Sequence, residues 1–257
     1  MRLKACVAHL RQPPMPGLLT LAALGLALHL ALPRGDGLAA FCGTVSLGVL
    51  FDPEAWRALG WSPGRLAFDW AAMVLLMMPP LVSAQVAHVG RSVRRACRPR
   101  ALLAFALGYG GCWVLAGVLL VPAGLVVSAL LPAGFDTAAV LAGALIWSAS
   151  PPAQAARNRC HRLERVGASG HGALRHGVLT GGACMAACWA WMVVPLTVAT
   201  GHSLTMLAVA FYLFAERLAP AGTLRWRLPP GLSVLGGLRM PSRSQQPMQT
   251  FDARSFR

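Results

Sequence analysis

The chain has 257 residues, 56% of them hydrophobic and only 12% charged, which is too apolar for a soluble domain and reads as one integral membrane domain of several short spans. A formal net charge of +15 would direct a soluble protein toward nucleic acid, but most of the arginines lie between hydrophobic segments, where they set topology, so no nucleic-acid partner is expected. Seven cysteines form an odd set without a secreted disulfide framework, and mostly reduced thiols are expected.

The first apolar segment, 18–32, follows Arg2, Lys4 and Arg11 and imitates a secretory signal, with Leu38, Ala39 and Ala40 at a candidate cleavage site. Phe41 stands where a lipoprotein Cys42 would need a small residue, and the segment is read as an uncleaved first span. Residues 37–51 are equally apolar. Counting them as a span would put Arg2, Lys4 and Arg11 outside, so they are read as interfacial or re-entrant. Asp52, Glu54, Trp56 and Trp61 then belong to a membrane surface.

Further spans are expected at 66–87, 101–121, 137–150, 178–200 and 204–218, which makes six in all. Arg91, Arg94, Arg95, Arg98 and Arg100 in one linker, and Arg157, Arg159, Arg162, Arg165 and Arg175 in another, place both linkers and both termini in the cytoplasm. Asp36, Asp52, Glu54, Asp69 and Asp136 fall on the outer side. The fold expected is thus an all-α, polytopic membrane helix bundle. Residues 1–65 hold the first span and the interfacial segment, 66–220 the main membrane domain, and 221–257 a basic tail without structure.

Sulfur carries the chemistry. Met73 and Met77 share a helix face, Met78 lies about 100° round, and Pro79 and Pro80 follow, predicting a kink beside three thioethers. Cys184, Cys188 and Met192 recur every four residues and form a soft-ligand stripe suited to Cu(I) rather than to calcium or magnesium. Cys and Met are also ordinary apolar fillers, and packing is the plain alternative. His202 and Met206, again four apart, lie at the outer end and form a candidate gate. Cys160 and His161 are adjacent in a basic linker, a weak signal whose role stays open. Gly177 and Gly181 have the small-residue spacing of a close helix contact. Glu216 needs an ion-pair partner, either Arg217 or a linker arginine. No phosphate-binding loop, dinucleotide fingerprint or hydrolase motif is present, and the chain is not read as an enzyme.

Trp70, Met73, Met77, Met78 and Pro79 form the first of four blocks that occur in a familiar order, and Gly108, Tyr109 and Trp113 the second. The third is Trp147, Ser150, Pro151, Asn158, Arg159, Cys160 and His161. The fourth runs through Gly177, Cys184, Cys188, Trp189, Met192, His202, Met206 and Glu216. In these blocks the chain resembles the predicted metal-binding integral membrane proteins, a bacterial family of unknown function, some of whose members are regarded as copper chaperones. Ala187 and Arg217 replace a Cys and a Lys common in that family.

The resemblance implies a membrane protein that binds copper, as Cu(I), and hands it to a copper-dependent acceptor enzyme or across the membrane. Cys184, Cys188 and Met192 are expected to form one three-coordinate site, Met73, Met77 and Met78 a facing site, and His202 and Met206 the outer gate. Membrane lipid is the surrounding partner, and self-association into a homo-oligomer is open. Two other readings stand beside this one: a membrane thiol oxidoreductase using Cys184 and Cys188, and a structural or assembly subunit without metal.

Overall fold

The computed structural model describes residues 13–31, 52, 54, 62–131, 135–164, 166, 170–198 and 201–235, and among them the regular structure is helical throughout. The interfacial reading of 37–51, the basic N-terminus and the tail beyond 235 lie outside the described residues.

Helix α1, Met15–Ala31, is apolar all round and buries Met15, Leu18, Ala22 and Gly25, one stripe at helical spacing. Gly25 brings this stripe against the backbone of helix α2, Pro63–Met77, at Ala72, Leu75 and Leu76. Helix α2 starts at an N-cap in which Ser62 accepts a hydrogen bond from the Arg65 amide, with Pro63 in the first turn, where its missing N–H costs nothing. The break comes where two prolines remove successive donors. A 3₁₀ turn, Pro79–Val82, leads into helix α3, Ser83–Ser92, and the two halves meet at a bend of 50°. The expected kink is therefore present as this break between α2 and α3.

Helix α4, Arg98–Leu130, has 33 residues and a length of about 50 Å at 1.5 Å per residue. It extends beyond both ends of the expected span, because its first turn absorbs Pro99 at N1/N2 and its interior tolerates Pro122. Leu103, Leu107, Val114, Leu115, Val118 and Leu119 line its outer face and are exposed, as a lipid-facing surface would be. Its inner face packs on helix α7, Gly170–Val193. Glycines set this contact: a β-carbon at Gly177 would overlap the carbonyl of Phe105, and one at Gly181 would stand 2.9 Å from Cys112 Cβ. The expected small-residue interface is present.

Helix α5, Phe135–Ala149, is tied at its start by Thr137, which donates to the Thr197 carbonyl at 2.6 Å, and near its end by Ser148, which accepts from Trp191 Nε1 at 2.7 Å. Ser150 then caps helix α6, Pro151–Cys160, in what the sequence presents as a linker. A 3₁₀ turn around Pro195 ends α7, and Gly201, at φ +76°, reverses the chain into helix α8, His202–Leu218.

The tail is not structureless from its start. Helix α9, Pro230–Leu235, packs on α8, where a β-carbon at Gly231 would stand 2.7 Å from the Tyr212 ring. Asn158 holds the preceding segment through paired hydrogen bonds with the backbone of Gly222 at 2.7 and 3.1 Å.

Among the described residues two helical stretches, Arg95–Leu130 and Gly170–Thr197, are long and apolar enough to cross a membrane, and the bent pair makes a third if counted as one span. Helices α1 and α5 are apolar but shorter, at 17 and 15 residues.

Candidate metal centre

The site is built around Cys184, fully buried in α7 against α4 and α8. The Gly177 and Gly181 contacts bring α4 close enough for Tyr109 to donate its hydroxyl proton to Cys184 Sγ at 3.3 Å. From α8, Arg217 Nη2 donates to the same sulfur at 3.4 Å. Cys188, one turn along α7, and Cys160, the last residue of α6, both lie close enough to act on the Cys184 thiol. Arg217 also reaches Cys160. Gln85 of α3 donates to the Cys160 carbonyl and fixes that end of α6. Three thiols, a phenol and a guanidinium thus converge inside the bundle.

The hydrogen bond shared with Cys184, reinforced by burial, holds the Cys160 thiol well above its ordinary range, while Arg217 pulls the other way. Partial burial, then the Arg217 charge, lowers the pKa of neighbouring His161. Five described cysteines, Cys97, Cys112, Cys160, Cys184 and Cys188, are free thiols. Among the described residues no three His, Cys, Asp or Glu side chains are already disposed as a metal cage. Binding an ion there would require loss of the thiol protons.

A small cleft lined by Leu81, Arg157, His161, Cys188, Glu216 and Arg217 reaches the cluster from the α6 end. Glu216 is not paired with Arg217. Its carboxylate lies 3.5 Å from Arg157 Nη1 and accepts from the Tyr212 hydroxyl at 3.1 Å. Neighbours in sequence on a helix point about 100° apart, so Arg217 faces the thiols while Glu216 faces α6.

The other predicted residues are buried too. Met73, Met77, Met78, Met192 and Met206 join Cys184 and Cys188 in one contiguous buried cluster. Met192, however, cannot share an ion with Cys184. The helix is unbroken between them, and eight residues at 1.5 Å put it about 12 Å further along the axis. Cys160, which arrives from another helix, is the sulfur that stands near Cys184 from outside α7. The four-residue period reports a common face but not a common point. His202 is buried at the opposite end of α8 from Arg217 and donates from Nδ1 to the Pro195 carbonyl at 2.7 Å.

The sequence model of PpoB2, a copper chaperone family, matches residues 67–240. No curated protein and no solved structure matches the chain.

Proposed function

Because the chain belongs to the PpoB2 family of copper chaperones, we propose that it is a multi-pass protein of the bacterial inner membrane that carries Cu(I) on sulfur and releases it to a copper-dependent acceptor. The topology proposed has six spans and both termini in the cytoplasm, with the Arg157–Glu216 end of the bundle facing inward. This places the arginine-rich segments on one side.

The observation that carries the reading is the contact of a half-buried cation with a buried thiol. Arg217 directs a hydrogen bond at Cys184 and acts electrostatically on Cys160. A guanidinium inside a bundle is costly without a counter-charge. Protonated thiols provide none, but Cu(I) with two thiolates carries one net negative charge and neutralises Arg217. Loading the thiols with Cu(I) therefore adds negative charge beside Arg217. Soft thiolate ligands select Cu(I), and the Tyr109 hydroxyl supports the charge on Cys184 sulfur.

In this scheme Cys184, Cys188 and Cys160 form the main station. Met192, one helix stretch further out, and Met73, Met77 and Met78 beside the broken span are thioether stations. His202 and Met206 form the outer gate. Thioethers bind Cu(I) without gaining charge, so the ion can pass them and settle where thiolate and Arg217 are found together. The cleft beside Cys188 and His161 is the side from which an acceptor would withdraw it.

The test is the copper content of protein purified in detergent under reducing conditions, beside a Cys184→Ala, Cys188→Ala variant. Near-stoichiometric Cu(I) that disappears in the variant supports the reading. Equal background metal in both proteins overturns it.

A further inference from the structure

At the end of the bundle away from the thiols, two histidines from distant parts of the chain meet. His29 lies in the last turn of α1 and His202 in the first turn of α8, and their ring centroids are 5.2 Å apart with planes inclined at 39°. From this contact we infer that His29, His202 and Met206 form a second copper site, an outer loading station separate from the thiol centre.

Several observations point to an ion rather than to simple ring packing. The Pro195 carbonyl can only accept, so the hydrogen bond at 2.7 Å requires the His202 proton to be on Nδ1. That leaves the Nε2 lone pair for a metal, the arrangement by which ligating histidines are oriented. His29 Nδ1 is buried and has no hydrogen-bond partner among the described residues. A buried polar nitrogen left in this state costs free energy that a metal bond would recover. Met206 is one turn below His202 on the same face and fully buried, which places a thioether next to the imidazoles.

The spacing also fits. Two imidazoles holding one ion at about 2.0 Å per N–metal bond put their ring centroids about 5 to 6 Å apart, depending on the angle at the metal. The observed separation lies at the bent end of that range, which leaves room for a third ligand such as Met206. Asp69, buried in α2 and 3.5 Å from Arg65, is near enough to act electrostatically on His29.

His29 precedes residues 67–240, the part that matches the family. Helix α1 therefore contributes a ligand that this part alone does not contain. Imidazole with thioether is a weaker and more exchangeable set for Cu(I) than thiolate, as suits a station that receives the ion before the thiols retain it. The inference rests on the copper reading but concerns a different set of atoms, and the two can fail separately.

The experiment titrates full-length protein with Cu(I) against a chromophoric Cu(I) chelator in four forms: wild type, Cys184→Ala/Cys188→Ala, and each of these carrying His29→Gln. With the thiols removed, one weaker equivalent should remain, and His29→Gln should weaken it roughly tenfold or more. Met206→Leu, which keeps the packing volume, should act in the same direction and guards against a folding defect at position 29. If the remaining equivalent is indifferent to both His29→Gln and Met206→Leu, or if none remains, the outer station is overturned while the thiol site stands. If copper in the wild type depends on His29 but not on Cys184 and Cys188, the outer station stands and the thiol reading falls.

Discussion

Arg217 Nη2 lies 3.4 Å from Cys184 Sγ, a guanidinium aimed at a thiol inside a helix bundle. A hydrogen bond to a charged group contributes about 1.5–3 kcal/mol, and a thiolate accepts it more strongly than the weakly accepting sulfur of a thiol. The contact should therefore favour the metal-loaded state over the empty one. Arg217→Met is expected to weaken Cu(I) binding roughly ten- to hundredfold in chelator competition, with Arg217→Lys intermediate. Unchanged affinity in Arg217→Met would mean that the guanidinium only fills space.

The Arg157–Glu216 pair makes the opposite kind of prediction. Its side chains are only 8% and 4% exposed, and it ties α6 to α8. Breaking a buried pair from one side leaves the other charge uncompensated and costs about 3–5 kcal/mol. Glu216→Gln should lower the thermal midpoint in detergent markedly, and Arg157→Met combined with Glu216→Gln should recover much of the loss. A double variant as unstable as the single one would show that Glu216 acts through some other contact.

Helix α7 also offers a steric test. Gly177 meets the Phe105 carbonyl at the α4 contact, whereas Gly110 has nothing within 4 Å of an added β-carbon. Gly177→Ala should destabilise the protein by about 1–3 kcal/mol through overpacking. Gly110→Ala should be neutral or slightly stabilising, since alanine is the better helix former. Thermal melting of the two variants side by side decides the point, and equal midpoints would remove the close α4–α7 contact from the account.

These residues also show what the sequence makes legible. The four-residue period of Cys184, Cys188 and Met192, the Gly177–Gly181 spacing and the Pro79–Pro80 break are local patterns, and each sits in the fold as its period implies. Convergence of distant segments is not local. Cys160 next to His161 gives little sign of reaching Cys184, because that contact depends on how α6 docks and on Gln85 from α3. Arg217 was within reach of sequence reasoning: adjacent helix residues do not face each other, so Glu216 and Arg217 cannot serve one partner. Helix α9 has too few residues to show a period and is held by contact with Tyr212. The meeting of His29 with His202 joins positions 173 residues apart (202 − 29) and depends on the packing of α1 and α8 at one end of the bundle.

The Cys160 thiol yields a prediction in pH. Its pKa is raised by the hydrogen bond it shares with Cys184 and by burial, so across the neutral range it is protonated in the empty protein. Copper binds the thiolate, and each thiol engaged must then release a proton. Affinity should accordingly rise with pH throughout the range below the raised pKa, with no plateau at the ordinary thiol value near 8.5. Each proton displaced adds about one logarithmic unit of affinity per pH unit. If Cys160 is a ligand, Cys160→Ala should lower the slope of log affinity against pH by about one relative to wild type and weaken binding most at high pH. Chelator competition at a series of pH values from 6 to 8 measures both quantities. A variant with weaker binding but an unchanged slope would show that Cys160 only positions Cys184, through the thiol hydrogen bond and Arg217, and is not itself bound to copper.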